Sequence, residues 1–341
     1  MGFKTVLFAF VVTSFLLGVQ GNLTFSDWEL PSFRSLFNHF PLAPLTIVRI
    51  YNDKCDAGDG RNGTCLAKVE CYKKKGVNRG SCALGFGVCC VMTAAENGVA
   101  FGNNTLLYKA AFGGGVDITY TIMRMSKKIC QYRLDVKRLM MYQVEMDGSC
   151  RHDYMLVNQD TKFNKVCGLT EDVHYYIDVK DTVTFTFHTD PEKSLIREWE
   201  IYVSQYTCDM GAPDGCGQWY WGATNKIDIW NNVDPGNTDW YYLDNQNYTI
   251  CVRWEAGYCT ITYNEKTRFQ PKCNDLFERP GSTTLRAACI FTPPANAITY
   301  TFTGGVQNFY VNFSDTTNEH IGSASNPFKN PSISYQQNRC S

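Results

Sequence analysis

The sequence predicts an all-β protein: antiparallel β-sandwiches behind a small disulfide-rich module. Three observations carry that expectation. In residues 182–188, Val183, Phe185 and Phe187 alternate with Thr184, Thr186 and His188, so one face is apolar and the other polar. Short runs of this kind recur between turn residues, and no long helix-periodic stretch interrupts them, which argues against an α/β enzyme fold. Sixteen cysteines occur without a Cys-x-x-Cys spacing and beside only five histidines. That pattern favours disulfides in an oxidising compartment over zinc ligation.

The 341 residues leave room for two or three domains. A net charge of −1 gives no basic surface for nucleic acid or for an anionic membrane. At the N-terminus, Lys4 precedes an apolar run over residues 6–19, with small residues at Gly18 and Gly21. This reads as a signal peptide over residues 1–21, too short to span a bilayer in the ordinary way. No later stretch is long and apolar enough to span, and the polar C-terminus carries no lipid-anchor signal. The expectation is a secreted, extracellular protein with no membrane anchor. Sequons at Asn22, Asn62, Asn103, Asn247 and Asn312 fit a glycoprotein, whereas Asn330 is followed by proline and excluded.

Residues 22–54 form a lead-in in which Trp28, Phe33, Leu36, Phe37 and Phe40 have rough helical spacing. Residues 55–92 hold Cys55, Cys65, Cys71, Cys82, Cys89 and Cys90. A segment this short cannot bury enough apolar surface to fold unaided, so three disulfides are expected, with connectivity open. The neighbours Cys89 and Cys90 cannot easily bridge to each other and should tie to different partners. Lys73-Lys74-Lys75 reads as a solvated loop before it reads as an anion site. Residues 93–112 look like a linker that leads into Gly113-Gly114-Gly115.

Strands are expected near 117–123, 130–136, 153–158, 175–179, 182–188 and 199–204. The second half repeats the scheme with strands near 249–254, 258–263, 298–302 and 308–313. Glu255-Ala256-Gly257 reads as the turn of a hairpin that would bring Cys251 and Cys259 together. Phe313-Ser314-Asp315 echoes Phe187-His188-Thr189-Asp190, and the spacing Cys273 to Cys289 echoes Cys150 to Cys167. An internal duplication follows from these echoes.

Several motifs now fall in one order. They are Gly80-Ser81-Cys82-Ala83-Leu84-Gly85-Phe86-Gly87-Val88-Cys89-Cys90, Cys130-Gln131-Tyr132-Arg133-Leu134-Asp135, Cys167-Gly168, Gln205-Tyr206-Thr207-Cys208, Ala212-Pro213-Asp214-Gly215-Cys216 and Tyr248-Thr249-Ile250-Cys251-Val252-Arg253. Together they resemble secreted arthropod proteins in which a short six-cysteine module precedes two CUB domains. The resemblance covers roughly residues 50 to 340. It implies a disulfide module in residues 22–97, a first CUB domain in 98–206 and a second CUB-like domain in 207–341, both jelly-roll-like sandwiches. It implies binding and not a known reaction. The chain departs from the family where Asp117, Ile118 and Thr119 stand in place of a cysteine before the first strand, which removes the usual partner of Cys130. Pairing the others as Cys150–Cys167, Cys208–Cys216, Cys251–Cys259 and Cys273–Cys289 leaves Cys130 and Cys340 to bridge to each other, stay free or link two molecules.

Many CUB domains hold calcium with a Glu five residues before a cysteine, an Asp three after it and an Asp at the end of a later strand. The matching positions are Glu145, Asp153 and Asp190. Three carboxylates with carbonyls and water suit Ca²⁺, which would offset their mutual repulsion. The alternative is three solvated acids at strand ends. In the second half Asp315 matches, but Arg268 stands in place of the Glu and Asn274-Asp275 is offset, so no second site is expected.

No catalytic constellation emerges. There is no Gly-Asp-Ser-Gly run for a serine nucleophile and no His-Glu-x-x-His helix, and His152 beside Asp153 would point to the opposite face of a strand. The expectation is a non-enzymatic glycoprotein that binds an extracellular protein or glycan through its strand-end loops, with calcium where the site fills. Trp219-Tyr220-Trp221, Trp230 and Trp240-Tyr241-Tyr242 read first as sandwich core and hairpin packing, and second as aromatic anchors for a partner. The alternative is an immune effector or protease-inhibitor-like protein acting through the disulfide module.

Overall fold

The computed structural model describes residues 49–341 apart from 59, 146, 159–164, 233–242, 244–245, 266–276, 279–296, 302–307, 316–331 and 341. For strand residues 247, 265, 277–278, 297–301, 308–315 and 332–333 it describes the backbone alone. The signal peptide, the lead-in helix, Asn22, Trp240-Tyr241-Tyr242, Cys273 and Cys289 lie outside the described residues.

The six-cysteine module contains β1 (Lys54–Asp56), β2 (Asn62–Leu66), the short helix α1 (Lys68–Lys73), β3 (Val77–Cys82) and β4 (Gly87–Thr93). β4 is its centre, pairing antiparallel with β2 and with β3. Cys89 and Cys90 are adjacent on β4, so their side chains leave on opposite faces. Cys89 bridges to Cys55 of β1, Cys90 to Cys71 of α1, and Cys65 to Cys82.

The first sandwich follows, with β5 (Gly98–Phe101), β6 (Thr105–Phe112), β7 (Asp117–Met123), β8 (Ile129–Met140), β9 (Tyr154–Val157), β10 (Leu169–Asp178), β11 (Val183–His188) and β12 (Arg197–Thr207). One sheet runs β5-β7-β11-β9 and the other β6-β12-β8-β10. The alternation in β11 works as written: Val183, Phe185 and Phe187 are fully buried. On the facing sheet Trp199 stacks on Phe187 with ring centroids 4.3 Å apart, and its indole N–H donates to the Tyr120 hydroxyl at 3.2 Å.

The linker expected over residues 93–112 is instead β5 and β6. The reason is visible in β6, where Thr105, Leu106 and Leu107 are buried and pair with β12. β4 also pairs in parallel with β6 through Met92–Thr105 and Thr93–Leu106. The module's sheet is therefore continuous with the sandwich. Ala57, Cys89 and Val91 of the module share one buried cluster with Leu106 and Tyr202.

The second sandwich contains β13 (Cys216–Tyr220), β14 (Thr224–Asp228), β15 (Gln246–Arg253), β16 (Tyr258–Glu265), β17 (Phe277–Glu278), β18 (Ala297–Thr301), β19 (Asn308–Asp315) and β20 (Ser332–Arg339). Its sheets run β13-β15-β19-β17 and β14-β20-β16-β18. Each position is held by the strand eight places later than in the first sandwich. The parallel pair β5–β7 recurs as β13–β15. The duplication extends through the whole strand topology.

Glu255-Ala256-Gly257 is not a hairpin turn. β15 and β16 lie in opposite sheets, and the turn carries the chain from one to the other. Cys251 and Cys259 are thereby separated, and the expected pairings Cys251–Cys259 and Cys208–Cys216 are replaced. Cys216 bridges to Cys251 across the parallel pair, Cys130 to Cys208, and Cys259 to Cys340. Neither Cys130 nor Cys340 is free. Their two bridges are equivalent, each tying the fourth strand of a sandwich to the end of its eighth. Cys150 bridges to Cys167.

The two sandwiches share one core. Tyr175 of β10 packs against Trp230 and Tyr248, and buried residues of both halves form a single cluster. β10 is the edge of its sheet, and Asn231 and Asn232 complete that edge. Their side-chain carbonyls accept from the backbone N–H groups of Leu169 and Glu171 at 3.0 and 2.9 Å. Gly168, at φ +80°, leaves no room for a Cβ beside the Asn231 amide.

Candidate functional site

The three acids singled out by spacing come together at one end of the first sandwich. Glu145 and His152 lie on the segment between β8 and β9, Asp153 immediately before β9 and Asp190 just after β11. Asp153 is wholly buried. Its Oδ1 accepts from the Asp190 backbone N–H at 2.9 Å and from Arg197 Nη2 at 3.1 Å. Its Oδ2 accepts from the Tyr142 backbone N–H at 2.7 Å and from Arg197 Nε at 2.8 Å. A carboxylate offers about four lone-pair sites, and here all are taken.

Arg197 opens β12 on the same inward register as Trp199, Ile201 and Val203, and its side chain is fully buried. Its remaining donors go to backbone carbonyls. Nη2 donates to Asp190 at 3.0 Å, and Nη1 to Gly113, Lys193 and Leu195 at 2.6–2.7 Å. A buried guanidinium is tolerated when a carboxylate neutralises it and every donor is matched, as here. Gly114 makes this possible. It sits at φ +88°, and a Cβ there would lie 2.5 Å from Arg197 Nη1. The glycine run thus admits the guanidinium against the backbone.

His152 stands between the other two acids. Its Nδ1 is 2.6 Å from Asp190 Oδ2 and its Nε2 is 3.1 Å from Glu145 Oε1. Each ring nitrogen thus faces a carboxylate oxygen. The Tyr142 ring meets His152 edge-on at 5.1 Å. Asp190 Oδ1 accepts from the Glu192 backbone N–H at 2.7 Å. That bond, followed by His152, holds the Asp190 carboxyl below its ordinary range.

The calcium expectation meets this geometry directly. The donor oxygens are present, but Asp153 has no lone pair to offer and the other two acids face an imidazole. Among the described residues no three His, Cys, Asp or Glu side chains converge as metal ligands would. The residues as arranged do not fit a calcium ion. Sequence reasoning passed over Arg197 and weighed His152 only as a catalytic partner of Asp153. A signal for Arg197 was present, because its alternation with Trp199, Ile201 and Val203 puts a charge on the buried face.

The other candidate positions separate. Tyr220 and Trp230 are buried at the junction of the sandwiches, so they serve as core. Trp221 is 47% exposed, with the Arg133 guanidinium 5.6 Å from its ring centroid. On the module, Leu84 is 99% and Phe86 62% exposed, at the tip of the β3–β4 hairpin. Asn62 lies on β2, and Asn247 and Asn312 on the neighbouring strands β15 and β19. Asn103 sits where module meets sandwich, and its side-chain carbonyl accepts from the Gln205 backbone N–H at 2.6 Å.

Residues 213–330 match the model of the animal CUB domain. The CUB1-EGF-CUB2 domains of rat MASP-1 align over 70% of this chain and 99% of their own, at 11% identity and a TM-score of 0.26. The full extracellular region of zebrafish Gpr126/Adgrg6 aligns over 71% of this chain and 33% of its own, at 11% identity and a TM-score of 0.27. The ANX1 ectodomain from Arabidopsis thaliana aligns over 66% and 82%, at 12% identity and a TM-score of 0.19. No curated protein sequence matches the chain. A CUB domain and seven disulfides among the described residues are the chemistry of an extracellular protein. Among those residues no helix is long and apolar enough to cross a membrane.

Proposed function

We propose that the chain is a secreted, non-catalytic glycoprotein that holds an extracellular protein partner. The observation that carries this reading is the match of residues 213–330 to the animal CUB domain, on a chain whose strand topology repeats that sandwich twice. Buried residues of both sandwiches form one cluster, which supports a fixed relation between the two. Trp221 with Arg133 supplies an exposed aromatic and a cation at the junction, a pairing favoured at protein contacts. Immobilised full-length chain should capture a saturable protein from extracellular fluid, and Trp221→Ala should weaken that capture. Saturable binding to a glycan array and to no protein would replace the protein partner with a sugar. Binding to neither would end the reading.

A second reading places the contact on the disulfide module. It is favoured by Leu84, an apolar side chain almost wholly in water at a hairpin tip anchored by the Cys65–Cys82 bridge. With Phe86 beside it, Leu84 adds to the apolar surface exposed at that tip, the kind of surface at which a partner docks when it is contiguous. Leu84→Asp in the full chain separates the two, because it should spare capture through the sandwiches and abolish capture through the module. Cutting the chain at residue 97 would not serve, since β4 pairs with β6 across that point.

A further inference from the structure

The carboxylate cluster of the first sandwich already contains a cation, and that cation belongs to the chain. Arg197 is sealed from water, and Asp153 is the carboxylate paired with it. A divalent ion that recruited Asp153 would have to strip two hydrogen bonds from Arg197. It would leave a buried guanidinium unpaired, and beside a second positive charge. Arg197 could not swing out instead, because Nη1 and Nη2 are held by the carbonyls of Gly113, Asp190, Lys193 and Leu195. The loops that would have to open for an ion are those that Arg197 fastens together: residues 113–115, 190–195 and the start of β9. Glu145 and Asp190, the two acids left over, are joined through His152.

We propose that Arg197 replaces the divalent ion at this end of the first sandwich, with His152 bridging the remaining acids, so that the site takes no calcium. The loops are then fixed permanently by a covalently attached cation. Any partner that docks on them does so equally well with calcium or chelator present. The ion test below is independent of whether a partner exists, so it stands or falls apart from the functional reading.

The experiment uses the full chain. Its melting temperature is compared in calcium and in EGTA, and terbium is added to report any ion beside Tyr142 by sensitised emission. The expected result is one melting temperature in both buffers and no terbium emission that calcium competes away. A calcium response that persists in Asp190→Asn and in Glu145→Gln places an ion elsewhere in the molecule and supports the proposal for this site. A calcium response abolished by Asp190→Asn overturns it. In Arg197→Met, Asp153 regains two lone-pair sites, and calcium should now raise the melting temperature. A folded Arg197→Met protein without that gain would overturn the role given to Arg197. If this variant does not fold, the wild-type and Asp190→Asn measurements still decide.

Discussion

His174 makes the junction between the sandwiches sensitive to acid. It lies on β10, with Nε2 3.0 Å from the Trp219 carbonyl oxygen and 3.2 Å from the Trp219 nitrogen. Its ring meets Tyr220 at 4.6 Å between centroids. Burial, and secondarily the Arg133 guanidinium, pull its pKa from 6.5 down to about 3. As pH falls through 6.5 the unfolded chain takes up a proton at this residue, while the folded chain does not until about pH 3. The stability contributed by neutral His174 is therefore whole above pH 6.5 and drains away between 6.5 and 3. pH 5 lies 1.5 units below the ordinary histidine pKa of 6.5, which is about 2 kcal/mol at one pH unit per 1.36 kcal/mol. Partial solvent access to the ring makes this an upper figure. For a folded body of roughly 290 residues, at about 2.1 cal/mol/K of unfolding entropy per residue, it corresponds to roughly 3 °C in melting temperature. Calorimetry of wild type and His174→Gln between pH 7.5 and pH 5 isolates the effect, since carboxylates common to both cancel in the difference. Wild type should lose more than the variant by about that margin. Parallel pH profiles, or a His174 titration near 6.5 by NMR, would refute the reasoning.

Two further predictions concern stability. Arg197→Met should cost about 3–5 kcal/mol in chemical denaturation, because Asp153 is left charged and buried; Asp153→Asn added to it should recover part of that loss, and additive costs would show that the two side chains do not interact. Replacing Cys130 and Cys208 by Ala should destabilise about as much as replacing Cys259 and Cys340. The bridges span 78 and 81 residues and occupy equivalent places, so loop entropy gives about 4–5 kcal/mol for each. A large inequality would mean that the sandwiches do not unfold alike.

Strands β7 to β12 of the first sandwich were legible because each has one face in the core, and period-2 alternation records that directly, whereas β5 and β6 read as a linker. β7 begins and ends at the residues the pattern indicated. β13 and β14 were missed, since Gly217 and the exposed Thr224-Asn225-Lys226 break the alternation. The pairing Cys150–Cys167 was legible, but the partners of Cys208, Cys216, Cys251 and Cys259 were not, because neighbours in sequence need not share a sheet: Cys251 and Cys259 are eight positions apart, yet they stand in opposite layers. At the acid cluster the spacing of Glu145, Asp153 and Asp190 rightly foretold that they would meet. The cation that neutralises Asp153 was hidden, because Arg197 arrives from a strand more than forty residues later. At Gly114 the missing side chain leaves the space that a guanidinium occupies.

The parallel pairing of β4 with β6 bears on how the molecule answers proteolysis. All three bridges of the module close within it, so no sulfur bond ties it to the remainder. A nick between Ala95 and Glu96 would nonetheless leave two fragments clasped by that strand pair, by the Tyr202 hydroxyl accepting from the Asn62 N–H at 3.2 Å, and by the apolar cluster around Leu106. Shedding the module would require denaturation as well as cleavage, and a clipped molecule would migrate as intact until it was unfolded.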